Sequence, residues 1–589
     1  MRRARQLVSV LTLTLAIAPV IAPAGHGTEG GGEPSPDRAP NLLRGLQPLP
    51  PAAALPALHP PSGSPVAGNV LFYYTGDDNA ACVRSLGDVT GDGRHETIVG
   101  YDIFKTGDNL YCLAGTSSGL ATVVWSLETQ GGASGGYFWG DQCLARGSDV
   151  TGDGRFEVLA GLAGGGRFAA AYDGSSGQLI WQYDTYAYPP SGWVYSIQEV
   201  GDVNGDAVPD VFFGTGSDNN SVHMIDGTST GTTPLVLWSY SGPDVFYSVA
   251  GLGDVNGDAV PDVIAGSGDD YPGIYAFDGT NGSVLWSHAL AGGAWHVNSI
   301  EDLNGNGSRE ALVASWGTPE VECFDGATGS SLFSSNIPSY AMRAEPIEDV
   351  DGDGLEDVLI ASWENALRCV SSATGALIWL ARAGSENGGD VWTCATIDDV
   401  DRDCHDDVLF GSFDGKIYCV DGTGGTELWS HDTNNRIYSV ASIGDLNGDG
   451  TCEAIAGTQD TTSTTVVYAI EGDSGLEGAT TLRLIGDPHI GATVTLRLRG
   501  TPSAQAVFLW ALADGCLASP FGTLQLDPAT LGILLAATIP PTATLDLTGT
   551  IPDDPVFVGL TPHIQAVVIV STQPKVGDSS NRVRFTVLP

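Results

Sequence analysis

Basic residues are scarce. Only 24 Lys+Arg stand against 70 Asp+Glu in 589 residues, a formal net charge of −46. Charged residues are 16% of the chain, below the roughly 25% of ordinary globular proteins. The imbalance therefore reflects missing cations and not a charge-swollen, disordered composition. A chain so poor in Lys and Arg cannot track a phosphate backbone, which excludes nucleic acid as a partner. No apolar run after Val20 is long enough to span a bilayer, so no membrane insertion is expected. None of the ten cysteines is adjacent to another, and none of the ten histidines forms a His-x₃-His zinc spacing. What abounds is glycine, 80 residues beside 42% hydrophobics, about twice its usual ~7% share. That mixture suggests short strands and tight turns around a real core.

The first residues read as an export signal. Arg2, Arg3 and Arg5 precede an apolar run from Leu7 to Val20, and Ala22-Pro23-Ala24 resembles a cleavage site. Residues 1–24 are thus expected to be a signal peptide, and no nearby cysteine supports a lipid anchor. Residues 25–68, crowded with Pro and Gly, read as a linker. The mature chain is expected outside the cell or on its surface.

An acidic nonapeptide then recurs eight times, from Asp88-Val-Thr-Gly-Asp-Gly-Arg-His-Glu96 to Asp445-Leu-Asn-Gly-Asp-Gly-Thr-Cys-Glu453. Its leading residues are Asp88, Asp149, Asp202, Asp254, Asp302, Asp349, Asp399 and Asp445, spaced 46 to 61 residues apart. Apolar runs flank each copy, as in Val263-Ile-Ala-Gly266 and Ile274-Tyr-Ala-Phe277, giving four short strands per unit. Four strands repeated eight times is the arithmetic of a β-propeller. The ends fit closure of a ring. Phe72 lies 16 residues before Asp88, as Trp238, Trp286, Phe333 and Trp429 lie before their next leading Asp. The last unit lacks that aromatic. Val70 to Tyr74 is therefore expected to supply the outer strand of the last blade, removing an exposed sheet edge.

Positions 1, 3, 5 and 9 of each nonapeptide present oxygen. The candidate metal ligands are Asp88, Thr90, Asp92 and Glu96; Asp149, Thr151, Asp153 and Glu157; Asp202, Asn204, Asp206 and Asp210; and Asp254, Asn256, Asp258 and Asp262. The later copies give Asp302, Asn304, Asn306 and Glu310; Asp349, Asp351, Asp353 and Asp357; Asp399, Asp401, Asp403 and Asp407; and Asp445, Asn447, Asp449 and Glu453. Hard oxygen ligands in this number suit calcium, up to eight ions. The alternative is a plain solvated Asp-Gly turn, which eight recurrences of one spacing disfavour. Asn306 removes a charge from the fifth copy. Arg402 and Cys404 stand where most copies have Gly, making the seventh site the weakest on paper.

These loops resemble the calcium loops of FG-GAP, integrin-α-like repeats. Ala171-x-Asp173-Gly-x-x-Gly177-x-x-x-Trp181 and Ala276-x-Asp278-Gly-x-x-Gly282-x-x-x-Trp286 resemble the tryptophan-docking repeat of quinoprotein propellers. The resemblance implies an eight-bladed propeller over residues 69–479. A pyrroloquinoline quinone enzyme of that kind would carry a vicinal Cys-Cys pair, so no such cofactor is expected.

No catalytic residues emerge. Gly472-Asp-Ser-Gly475 matches a serine-protease string but occupies the turn equivalent to Gly279-Thr-Asn-Gly282. Cys82–Cys112 and Cys394–Cys419 are candidate disulfides in an exported chain, although cysteines at these blade positions also serve as small core residues. Seven residues before each leading Asp stand Ala81, Gln142, Tyr195, Tyr247, Trp295, Met342, Trp392 and Tyr438. Tyr195, Tyr247, Trp295, Trp392 and Tyr438 form a possible ligand rim on the face opposite the acidic loops, with Trp139, Trp193, Trp316 and Trp363 nearby; ordinary packing between blades is the competing explanation.

From about Thr480 the repeat stops. Alternating stretches such as Thr493-Val-Thr-Leu-Arg-Leu-Arg499 suggest a β-sandwich over residues 480–589. The fold expected is all-β, an eight-bladed propeller followed by a small β-sandwich. The function expected is non-enzymatic binding or adhesion toward a protein or glycan. Two alternatives remain: a calcium-dependent polysaccharide lyase like some rhamnogalacturonan lyases, which would need free cations, and an envelope assembly scaffold.

Overall fold

The computed structural model describes residues 66–584 apart from 77–78, 103–106, 116–118, 130–135, 165, 186–191, 218, 269, 385–388, 402, 404, 448–450, 460–464, 473–480, 486–492, 513–516, 520–521, 543, 553–561 and 573–574. The expected signal peptide and most of the linker lie outside the described residues.

The Asp254 unit shows how one repeat folds. Its strands, Phe246–Gly253, Asp262–Ser267, Gly273–Phe277 and Val284–Ala289, pair antiparallel in chain order. The acidic loop joins the first two strands. It turns through Gly257 and Ala259, whose φ angles are +83° and +69°. The second strand is buried throughout, whereas the fourth alternates poorly and faces solvent. The same four-strand order recurs in the sheets that carry the other acidic loops.

The Asp445 sheet draws its fourth strand from the other end of the chain. Val70–Gly76 pairs antiparallel with Thr465–Ile470, placing Phe72 opposite Ala469. Phe72 is fully buried there. Just upstream, Val66–Ala67, within the segment expected as linker, adds a parallel strand to the Asp399 sheet beside Trp429. Gly119–Leu120, in the connection between the last two strands of the Asp88 sheet, pairs parallel with Phe72 and Tyr73 on the other side. One N-terminal segment thus ties three sheets together.

First strands of successive sheets pack on one another, and that of the Asp445 sheet packs on Asn79–Gly87 of the Asp88 sheet. The sheets therefore close as a propeller. Its core lies between blades: Leu252, Ile264 and Ala276 of one sheet meet Ala294, Val297 and Val313 of the next. The closing seam is built likewise, from Phe72, Val83, Val99, Ile455 and Val467.

The candidate disulfides are not formed; Cys82, Cys112, Cys394 and Cys419 are free and buried. The pairing explains why. Cys82 lies opposite Gly100 and Cys112 opposite Ile98, on strands flanking a common neighbour. Cys394 and Cys419 flank their middle strand in the same way. Two strand spacings are about 10 Å, beyond the ~7 Å reach of a disulfide between Cα atoms.

Beyond the propeller, Thr481–Ile485, Thr493–Arg499 and Thr544–Thr550 form one antiparallel sheet. Gly532–Thr538, Gln505–Ala511, His563–Thr572 and Lys575–Arg584 form another. Leu482 and Leu498 of the first share a core with Phe508, Ala566 and Val568 of the second. Among the described residues no helix is long and apolar enough to cross a membrane.

Candidate functional sites on two faces

In the acidic loops the first and ninth residues hold the loop itself. Asp254 accepts the N–H groups of Gly257 at 2.7 Å, Asp258 at 3.2 Å and Ala259 at 2.8 Å. Asp262, fully buried, accepts Val255 N–H at 2.9 Å and Gly279 N–H at 3.0 Å. Burial raises the carboxyls of Asp210, Asp262 and Asp357 to about 6 against the backbone donors that lower them. Positions 3 and 5 stay exposed in loops such as this one, at Asn256 and Asp258, while Asp401 is half-buried. Such a loop offers outward oxygen on an internally braced turn.

The loops differ in how well they group carboxylates. Asp349, Asp351 and Asp353 place oxygens within 4.8 Å of one another, as do Asp399, Asp401 and Asp407, and Asp401, Asp403 and Asp421. Oxygens this close fit a shared cation at 2.3–2.6 Å. The Asp399 loop, weakest on paper, holds the densest set because Asp421 joins it from the following turn. Burial, then Asp403, Asp399 and Asp421, raises the Asp401 carboxyl. In the Asp302 loop, by contrast, Asn304 and Asn306 donate their amides to Asp325 at 2.7 and 2.8 Å. Arg402, Cys404 and Asp449 lie outside the described residues.

The acidic loop and the tryptophan repeat meet at one peptide unit. While the Gly279 N–H binds Asp262, its carbonyl accepts the Trp238 indole N–H at 2.6 Å from the preceding blade. Gly174, Gly326 and Gly422 do the same between Glu157, Glu310 and Asp407 and the indoles of Trp125, Trp286 and Trp379. Gly472 accepts Trp429, which gives the Gly-Asp-Ser-Gly string a docking role at its first residue. The rest of that string lies outside the described residues. Gly282 must be glycine: its φ is +72°, and a Cβ would stand 2.4 Å from the Trp238 ring.

The opposite face is built differently. Seven residues of extended strand, about 23 Å, separate Trp295 from Asp302. At this end a short 3₁₀ turn, Asp141–Cys143, plugs the channel. Asp141 binds Arg84 Nη1 at 2.6 Å and also meets Arg343 and Ser439, groups from three other sheets. Gln142 donates to the Trp295 carbonyl at 3.0 Å and accepts from Ser248 at 2.5 Å, reaching two more sheets. Burial alone would raise the Asp141 carboxyl, but Arg84 and Arg343 prevail and hold it at about 2. Glu345 completes the network, accepting Arg343 Nε at 2.5 Å and Asn298 Nδ2 at 2.6 Å. Burial keeps the adjacent His296 neutral, its pKa lowered to about 4.

The expected rim wraps this plug in series. Ring centroids lie 5.2 Å apart for Tyr195–Tyr247, 5.1 Å for Tyr247–Trp295, 6.1 Å for Trp295–Trp392 and 5.3 Å for Trp392–Tyr438. With Met342 they leave only about 30 Å³ inside, room for about two waters. Open aromatic surface belongs instead to neighbours outside that list. Among the described residues the exposed tryptophans are Trp139 (44%) and Trp363 (37%), both at this mouth. Trp316, Tyr340 and Trp363 wall a cleft of about 330 Å³ floored by Gly292 and Gly293. Asp141 sits on a turn that does not repeat and left no spacing signal, whereas Trp316 and Trp363 stand at one repeat position and only the structure shows that Tyr340 joins them.

Residues 252–447 match the PQQ_2 family model, described as outer membrane protein assembly factor BamB. The chain is similar in structure to the C-terminal WD40 domain of Sif2, with 13% identity and a TM-score of 0.48 over 69% of this chain and 99% of that one. Sqt1 of Saccharomyces cerevisiae gives 13% and 0.48 over 68% and 99%. BamB of Moraxella catarrhalis gives 14% and 0.41 over 67% and 98%. No curated protein matches the sequence.

Proposed function

We propose that the chain is an exported, calcium-stapled, eight-bladed propeller with a C-terminal β-sandwich, acting as a non-enzymatic binding module. Its protein or glycan partner docks on the aromatic face, opposite the acidic loops. The observation that carries this reading is the contrast between the faces. One repeats the same braced, oxygen-bearing turn from blade to blade. The other carries aromatic surface found once, around a channel already closed by its own ion pairs.

The same ion pairs argue against a lyase. A uronate substrate needs free cations, whereas Arg84 and Arg343 are engaged by Asp141 and Glu345. The family match over residues 252–447 favours a second reading, an assembly scaffold whose partner is a protein. Both readings use the aromatic face. An array of glycans and envelope proteins, probed with wild type and Trp363→Ala in calcium, tests them together. Selective binding that Trp363→Ala loses is expected. Equal binding by both proteins would remove the aromatic face from the function, and release of unsaturated product from pectic polymers would overturn the non-enzymatic reading.

A further inference from the structure

The cleft at Trp316, Tyr340 and Trp363 has features that the repeat does not explain. Its rings stand 5.9 Å (Trp316–Tyr340), 6.4 Å (Trp316–Trp363) and 5.6 Å (Tyr340–Trp363) apart. Backbone bonds fix their bases: Trp316 N–H donates to Gly293 O and Trp363 N–H to Tyr340 O, each at 3.1 Å. The floor is open because it is glycine. A Cβ on Gly292 would lie 2.4 Å from the Gly317 nitrogen, and one on Gly317 2.2 Å from the Gly292 nitrogen. No side chain can cover the rings there. Tyr340 and Trp363 remain 44% and 37% exposed, and the buried Trp316 indole N–H finds no acceptor among the described residues.

We propose that this cleft is a subsite for a neutral oligosaccharide. This rests on the reading of the aromatic face as a binding face and names its ligand. A pyranose ring offers an apolar C–H face for stacking and hydroxyls around its edge, which suits aromatic walls bearing few polar groups. The lining of Gly292, Gly293, Trp316, Tyr340 and Trp363 holds no charged side chain. An anionic glycan finds no cation there and meets a chain of net charge −46. A cation would find rings but no carboxylate to accompany it out of water.

Tryptophan emission of the full-length protein, titrated with cellohexaose, mannohexaose, hexagalacturonate and tetramethylammonium chloride, tests the proposal. At least one neutral hexamer should give a saturable shift. Trp363→Ala should weaken it by about tenfold or more, while Trp363→Phe, which keeps a stacking ring, should retain most of it. Both substitutions are at an exposed position, and unchanged melting temperatures will separate lost binding from lost fold. No saturable response to either neutral hexamer, preference for hexagalacturonate or tetramethylammonium, or equal binding by Trp363→Ala would overturn the proposal. If Trp363→Ala still loses a protein partner on the array while no hexamer binds, the sugar assignment falls and the binding face stands. If that variant changes nothing with any probe, both fall.

Discussion

The two faces of this propeller solve opposite problems with the same strands. On the acidic face one pattern recurs, in which first and ninth carboxylates brace the loop, and at Gly174, Gly279, Gly326 and Gly422 the ninth also ties it to a tryptophan-docking glycine. At the mouth the positions repeat but the side chains do not. A single turn, Asp141–Cys143, bridges to groups on five other sheets, and the aromatics differ from blade to blade. Uniformity suits a staple, because each blade needs the same one. Singularity suits recognition and ring locking, because one ligand or one keystone is enough.

The largest expected effect breaks the mouth's keystone. Asp141→Ala leaves Arg84 and part of Arg343 without their buried partner, and removing one member of a buried ion pair costs about 3–5 kcal/mol. The melting temperature should fall sharply, without any change in calcium stoichiometry measured by equilibrium titration. The same residue sets a pH signature. Its carboxyl is held at about 2 in the fold against about 4 in an unfolded chain. The stability it contributes is therefore present above about pH 4 and lost as pH falls toward 2. Acid melts of wild type should show that loss, and Asp141→Asn should show less of it. An Asp141→Ala protein that melts like wild type would reduce the plug to decoration.

Next comes the seam. Phe72→Ala empties a fully buried site between the last and first sheets, at a cost of about 3–5 kcal/mol. Deleting residues 66–76 should do more, because it also bares the edge of Thr465–Ile470. Hydrogen exchange should quicken first in that strand. Unchanged protection there would mean the ring does not depend on its N-terminal strand.

These regions also show what a sequence can disclose. The repeat period, the closing strand around Phe72 and the docking tryptophans were legible because each leaves a spacing that recurs. The glycine shared by Asp262 and Trp238 was half legible: both motifs were visible, but their meeting joins residues from neighbouring blades. Asp141 gave no signal, since its partners Arg84, Arg343 and Ser439 come from three other repeats. The rim was legible only in part, for a related reason. Position along the strand locates the channel end, but it cannot say that a plug would bury Tyr195 and leave Trp363 and Tyr340 open.

A smaller effect sharpens the link between the motifs. Trp379→Phe keeps the ring packed on Gly425 but removes the N–H donated to the Gly422 carbonyl at 2.8 Å. A net loss of about 1 kcal/mol is expected, read by denaturant melts. A loss indistinguishable from zero would make the docking a matter of ring packing alone.

The separation of the two faces is tested most directly by calorimetric melts of wild type, Asp254→Ala and Trp363→Ala, each with calcium and with chelator. An ion bound only by the folded state adds about 2.7 kcal/mol per site at a hundredfold excess over Kd. Calcium should raise the melting temperature of wild type and Trp363→Ala equally, and raise that of Asp254→Ala by less. Equal calcium gains in all three proteins would contradict the metal role of that loop, and a reduced gain in Trp363→Ala would contradict the independence of the faces.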